Sequence, residues 1–123
     1  MRYDILLTGG TVIDPLGSLN DQFDVAIVDG QIVDVAKNID PQKAARTIAV
    51  PGKYVVPGLV DIHAHVYHGM GVYSIDPARA GLMTGVTTLL DAGSAGSLNY
   101  GTFHEYVMPQ AREDVFALLN IAQ

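Results

Sequence analysis

The first part of the chain alternates short apolar runs with turn-forming residues. Apolar and β-branched positions cluster in segments 3–8, 11–14, 23–28, 31–35, 47–50 and 53–56. Each segment has the length of a strand, and Gly, Pro or Asp residues separate most of them. The pair Asp29-Gly30 lies between two β-branched runs, which is a strong signal for a β-hairpin. Residues 1–56 therefore predict a small antiparallel sandwich or sheet, with Gly9-Gly10 as a turn or bulge.

After residue 56 the pattern changes, and buried-type strands alternate with helices. Strands are predicted over 59–63, 86–91 and 115–120, and helices over 76–84 and 102–112. Asp76 fits the N-cap of the first helix, with Pro77 at its first position. Strand, helix, strand, helix, strand is the order of a parallel sheet with crossover helices. Residues 57–123 therefore predict an α/β unit.

Two alternating histidines mark the end of the first of these strands. His63 and His65 close the run Pro57-Gly58-Leu59-Val60-Asp61-Ile62-His63-Ala64-His65. Both imidazoles should lie on one face, about 6.6 Å apart along the strand at ~3.3 Å per residue. Such a pair can bind one metal ion, and Asp61 on the same face can orient a ligand or balance charge. The apolar neighbours on both faces predict a strand buried in a parallel sheet.

Composition narrows the classes of function. The 123 residues are 49% hydrophobic with a net charge of −6, and the seven Lys and Arg residues are scattered, so no nucleic-acid partner is expected. The chain has no cysteine, which excludes disulfides, thiolate ligands and thiol nucleophiles. Asp4 interrupts the first apolar run, so residues 1–10 are not expected to be a signal peptide, and no apolar run approaches 18 residues. We therefore expect a cytoplasmic protein without a membrane partner.

These motifs together resemble a known family. The run 56–65, followed by Gly85-Val86-Thr87-Thr88-Leu89-Leu90-Asp91, is similar to the N-terminal third of metal-dependent amidohydrolases of the dihydroorotase, hydantoinase and deacetylase group. Segments 6–15 and 25–32 resemble the β-sandwich that opens those proteins. Segment 91–96 resembles the deacetylase branch in particular. The resemblance covers nearly the whole chain.

The resemblance implies an α/β fold in two parts. Residues 1–56 would form a β-sandwich segment, and residues 57–123 would form the first three strands and two helices of an incomplete (β/α)8 barrel of the TIM type. Active sites of such barrels lie at the carboxyl ends of the strands, where the two histidines fall. The resemblance further implies that His63 and His65 bind a divalent metal, by default zinc, with one or two ions in the full-length protein and Asp61 in support.

The reaction implied by the resemblance is hydrolysis of a C–N bond in a small molecule, through a metal-activated hydroxide. The bond would be an amide, a cyclic amide or an N-acetyl group, and an ester is a related possibility. The remaining ligands of the family, a carboxylated lysine and two histidines, and its catalytic aspartate have no counterpart before Gln123. The chain alone is therefore expected to be inactive, and its open strand edges predict aggregation or homo-oligomers.

Several polar residues follow the predicted strands and are candidate substrate contacts. They are His68 in the loop after the histidines, Asp91 at the end of the second strand, and Ser94 in the next loop. His68 could instead be a surface residue, and Asp91 could cap the turn that follows it. Ser94 lacks the Gly-x-Ser-x-Gly pattern and is rejected as a nucleophile. Tyr67 and Tyr73 are predicted either to line the pocket or to be exposed.

Three other functions stay open at this point. A deaminase of the same superfamily would act on an amino-substituted ring carbon. A non-catalytic module would keep the fold and only bind or assemble. A self-contained β-domain would use the βα part as a lid, although the apolar strand 115–119 argues against it.

Overall fold

The structure is a computed structural model that describes residues 2–122. The chain divides into two compact units, with the boundary between Pro57 and Gly58. Each unit contains one β-sheet. The boundary lies one residue from the position at which the sequence pattern changes.

The first unit is a five-stranded mixed sheet. Its strands are β1 (Tyr3–Asp14), β2 (Leu19–Val28), β3 (Gln31–Ala36), β4 (Ala44–Ala49) and β5 (Tyr54–Val55), with a 3-10 turn at Pro41–Lys43. The order is β3-β2-β1-β4, and β5 also pairs with β1. After β3, at one edge of the sheet, the chain crosses to the far side of β1. The strands β4 and β5 therefore run parallel to β1. Each strand overlaps a predicted segment, but β2 and β4 begin four and three residues earlier than predicted. The expectation of an antiparallel arrangement was wrong for the two pairs that β4 and β5 form with β1.

Strand β1 joins two segments that the sequence predicts separately. It runs through Gly9-Gly10, where the pairing with β2 shifts by one extra residue between Leu7 and Gly10. The glycine pair is therefore a bulge, one of the two predicted alternatives. Leu6 and Val12 of β1 are buried, as are Val25 and Ala26 of β2.

The hairpin between β2 and β3 has the turn that its sequence predicts. Asp29 and Gly30 both have positive φ, 50° and 73°. Positive φ at both central residues defines the type I′ turn, whose twist matches that of the flanking strands. The turn is reinforced by Asp4, whose carboxylate accepts the Asp29 N–H at 2.7 Å.

The second unit is a three-stranded parallel sheet in the order β6-β7-β8. Its elements are β6 (Leu59–Ala64), α1 (Pro77–Ala80) with a 3-10 turn at Leu82–Thr84, β7 (Val86–Asp91), α2 (Tyr100–Thr102) with a π turn at Phe103–Val107 and a 3-10 turn at Met108–Gln110, and β8 (Asp114–Ala117). This is the predicted strand–helix order. Both helical segments are more irregular than predicted, and β8 ends three residues earlier.

Helix α1 begins where the sequence predicts. The Asp76 carboxylate accepts the Ala78 N–H at 2.8 Å, and Pro77 is the first helical residue. The helix is interrupted at Gly81, because the side chain of buried Glu113 packs against this glycine and accepts the Leu82 N–H at 2.8 Å. A long-range contact thus divides a helix that local propensity would continue.

The core of the second unit contains a tyrosine that the sequence places in a pocket or on the surface. Tyr67 is 1% exposed, and its ring lies 4.8 Å from that of Phe103. Its hydroxyl donates to the carbonyl oxygen of Asn99 at 3.1 Å. Both interpretations of Tyr67 were therefore wrong, since the ring is packed and the hydroxyl is satisfied internally. Tyr73 is exposed.

Strand β6 lies at an edge of its sheet and is not buried in this chain. Val60 and Ile62 are 61% and 73% exposed, and Phe116 of β8 at the other edge is 59% exposed. The prediction of a strand buried on both faces was wrong for the described residues, because none of the described elements covers these side chains. No helix among residues 2–122 is long and apolar enough to cross a membrane.

The I′ turn predicts a position-specific effect on stability. Replacing Gly30 with Val should reduce the free energy of unfolding by roughly 1–2 kcal/mol, because a β-branched residue is strained at positive φ. No atom lies near the added Cβ, so a steric clash does not contribute. Urea unfolding followed by circular dichroism measures the loss. Gly30→Asn is the matched control, since Asn tolerates this conformation, and equal losses in both variants would contradict the account.

The exposed edge strand predicts self-association of the chain. Light scattering should show oligomers or aggregates, because an open apolar edge pairs readily with another copy. Ile62→Lys should reduce the apparent mass by placing a charge on β6. Leu16→Lys, at a 97% exposed position in a turn, should leave the mass unchanged. A monomeric wild-type chain with a sharp cooperative melt would contradict this expectation.

Candidate metal centre

The candidate site lies where two parallel strands end side by side. Ala64 at the end of β6 is paired with Asp91 at the end of β7, and the Ala92 N–H donates to the Ala64 carbonyl at 2.8 Å. His65 and the loop after Asp91 therefore emerge at the same edge. The carboxyl edge of a parallel sheet is where α/β proteins bind ligands.

The two predicted metal ligands lie next to each other at this edge. The ring centroids of His63 and His65 are 5.6 Å apart, with an angle of 77° between the ring planes. His63 is exposed and His65 is half-buried. The Asp61 carboxylate accepts the backbone N–H of His63 at 2.9 Å, so it fixes the backbone at the first histidine. The two rings are neighbours, as predicted, although the pairing of β6 with β7 is irregular between Asp61 and Ala64. Metal ligation stays a prediction.

Ser94 contacts one of these imidazoles directly. Its Oγ lies 2.8 Å from Nδ1 of His65, and the Ser74 hydroxyl donates to the same oxygen at 3.4 Å. Because this contact engages Nδ1, Nε2 is the ring nitrogen that a metal would bind. Metal-binding histidines are typically oriented by a hydrogen bond of this kind at the other nitrogen.

Asp91 is a buried carboxylate that connects the two loops of the site. It is 0% exposed, and its two oxygens accept the N–H groups of Val66 and Ser94, each at 2.7 Å. A carboxylate that is enclosed in this way does not face a substrate. The geometry therefore favours the capping interpretation of Asp91 over the interpretation as a substrate contact.

A glycine turn and contacts from Asn120 hold the loop that contains Ser94. Gly93 has φ of 89°, which lets the chain reverse directly after β7. The Asn120 side-chain amide donates to the Gly93 carbonyl at 3.2 Å, and the Asn120 N–H donates to the Ala95 carbonyl at 2.9 Å. Asn120 thus holds the loop on both sides of Ser94.

The structure separates His68 from the other candidates. His65 and Ser94 line a cleft of about 270 Å³ together with Tyr73 and Asn99. His68 is exposed and lines a different cleft of about 440 Å³ between the start of α1 and residues 106–113. Sequence position alone placed His68 with the histidine pair, but the loop carries it away from that edge.

The donor set fits part of a zinc site. Neutral imidazole is a common zinc ligand, and zinc takes four ligands. Within residues 2–122, no cluster of three or more His, Cys, Asp or Glu side chains could hold a metal ion. His63 and His65 would therefore supply two ligands, and at least two coordination positions would need other donors.

Sequence reasoning missed the contact between Ser94 and His65. These residues are 29 positions apart, and their contact depends on the β6–β7 register, which no local pattern reveals. The sequence does contain a signal for the role of Asp91. A short acidic side chain at the end of a strand commonly accepts N–H groups of the turn that follows it.

The buried carboxylate predicts a loss of stability on amide substitution. Asp91→Asn should lower the free energy of unfolding by about 1–3 kcal/mol, because one of two buried N–H groups loses its acceptor. Chemical denaturation measures the change. Asp76→Asn is the matched control, since Asn caps a helix as well as Asp does. A similar small loss in both variants would contradict the role assigned to Asp91.

Comparison with curated proteins finds relatives among hydrolases. The chain is 41% identical over 93 residues to a deacetylase of Agrobacterium fabrum, covering 76% of this chain and 23% of that protein. It is 32% identical over all 123 residues to a deacetylase of Enterococcus faecalis, covering 32% of that protein. The chain thus spans about a quarter to a third of the length of these relatives. No family model matches the chain.

Solved structures share both fold and sequence with the chain. A dihydroorotase superposes with a TM-score of 0.82 at 36% identity, covering 94% of this chain and 30% of the other. An adenine deaminase gives a TM-score of 0.79 at 34% identity, covering 99% and 32%. A D-aminoacylase described with a binuclear metal centre gives 0.57 at 30% identity, covering 73% and 18%. The mixed α/β architecture thus matches the N-terminal region of barrel enzymes.

Proposed function

Because this chain belongs to the amidohydrolase superfamily, we propose that the whole protein hydrolyses a carbon–nitrogen bond in a small molecule with the help of a bound metal. The observation that carries the proposal is the pair of imidazoles, His63 and His65, at the carboxyl edge of β6. The pair lies at the position where barrel enzymes of this architecture hold their active sites.

The residues of this chain would hold and orient the metal. His65 would bind through Nε2, and His63 would bind from the same face of β6. Asp61 would fix the backbone at His63 through the hydrogen bond to its N–H. When bound, the metal supplies an acidified water and polarises the carbonyl oxygen of the substrate. Zinc suits two imidazoles, and manganese, iron or cobalt accept the same ligands.

The relatives support a proposal for the substrate class. Two of them are named deacetylases and the structural neighbour with the TM-score of 0.82 is a dihydroorotase, so an N-acetyl group or a cyclic amide is proposed. We also propose a cytoplasmic location, since the chain has no cysteine. The whole zinc-loaded protein should release acetate from N-acetyl amino acids or open a hydantoin-type ring.

Deamination is the second candidate function. The adenine deaminase neighbour covers 99% of this chain at 34% identity, which is nearly as good a match as the dihydroorotase. Release of ammonia from an aminopurine, with no release of acetate and no ring opening, would favour it. A whole protein that binds no metal and cleaves none of these compounds would favour a non-catalytic module.

Zinc titration of the chain tests the histidine pair. Calorimetry should show weak binding, because two imidazoles leave at least two positions to water. Binding should disappear in the variant His63→Ala/His65→Ala. His104→Ala is the matched control, since this exposed ring stacks on Tyr100 at 6.0 Å, away from the strand edge. Retained zinc binding in the double variant would contradict the proposed site.

A further inference from the structure

We propose that Ser94 is a positioning residue for His65. Its Oγ accepts a hydrogen bond from Nδ1–H, so the neutral imidazole keeps its proton on Nδ1 and presents Nε2 to the metal. This inference rests on the proposed function, since it assigns Ser94 to the metal site of that function. It replaces the interpretation of Ser94 as a substrate contact.

The geometry places the hydroxyl at one nitrogen of the ring. The distance of 2.8 Å between Ser94 Oγ and His65 Nδ1 is that of a good hydrogen bond. A neutral imidazole carries one proton, so the partner at Nδ1 decides which nitrogen keeps a free lone pair. If Nδ1 holds the proton, Nε2 is a metal ligand. If the hydroxyl donates instead, Nε2 is protonated and cannot bind a metal.

The hydroxyl is held in place by a buried group. The Ser94 N–H donates to Asp91 Oδ1, and the other oxygen of this fully buried carboxylate accepts from Val66, the residue after His65. One carboxylate therefore fixes the backbone on both sides of the Ser94–His65 contact. The positions of the hydroxyl and the imidazole are set before any ligand binds, as preorganisation of a metal site requires.

A second hydroxyl lies near the Ser94 oxygen. The Ser74 hydroxyl donates to Ser94 Oγ at 3.4 Å, a long contact from the loop that follows His65. A serine oxygen has two lone pairs, so it can accept from both Ser74 and His65. Ser74 does not contact the ring, which makes it the matched position for a control.

The tautomer of His65 tests the proposal. Long-range ¹H–¹⁵N spectra of the chain distinguish protonation at Nδ1 from protonation at Nε2 in the neutral ring. The metal-free wild-type chain should show His65 protonated at Nδ1. Ser94→Ala should shift it towards protonation at Nε2, while Ser94→Thr, which keeps the hydroxyl, and Ser74→Ala should retain the wild-type form.

Zinc binding gives a second readout. Ser94→Ala should weaken the affinity for zinc about 10-fold, the lower end of what the loss of such an orienting partner costs. The Ser94 N–H remains bonded to Asp91 in this variant, so the loop should keep its fold, as its far-UV spectrum would show. Protonation of wild-type His65 at Nε2, or an unchanged tautomer and zinc affinity in Ser94→Ala, would overturn the proposal. A wild-type chain that binds no zinc would refute the metal function, while the tautomer still decides the role of Ser94.

Discussion

The carboxyl edge of the second unit depends on one buried carboxylate. Asp91 is removed from water and would be costly there without partners. Its partners are two backbone N–H groups from different loops, those after β6 and β7. The carboxylate thereby fixes the loop that begins at His65 to the loop that contains Ser94. The positions of the candidate site residues follow from this pair of hydrogen bonds and from the register of the two strands.

Local chemistry predicted much of the fold. The bounds of β7 and the start of α1 at Asp76-Pro77 agree with the structure, because strand propensity and capping act over a few residues. The I′ turn at Asp29-Gly30 follows for the same reason. The features that differed depend on distant contacts. They include the direction of β4, which a crossover decides, and the interruption at Gly81, which Glu113 causes.

In the candidate site, too, local features could be predicted from the sequence, and features that depend on distant contacts could not. Alternation along one strand is a local rule, and it placed His63 and His65 on one face. The partner of His65 comes from another strand, so only the β6–β7 register reveals Ser94. His68 was grouped with the pair by nearness in sequence, but its loop leads to a different cleft. Burial of β6 was expected from its apolar residues, and the described residues leave that strand exposed.

Two imidazoles on an exposed strand edge are the proposed half of a metal site. The structure places these two rings next to each other, and the chain spans about a third or less of the proteins with which it was compared. The central claim is that His63 and His65 bind one metal ion together. X-ray absorption at the zinc edge, with the chain in excess over zinc, measures the ligands directly. We predict two imidazole nitrogens per zinc at about 2.0–2.1 Å, completed by oxygen ligands. One imidazole or none, or the same spectrum from His63→Ala/His65→Ala, would contradict the account.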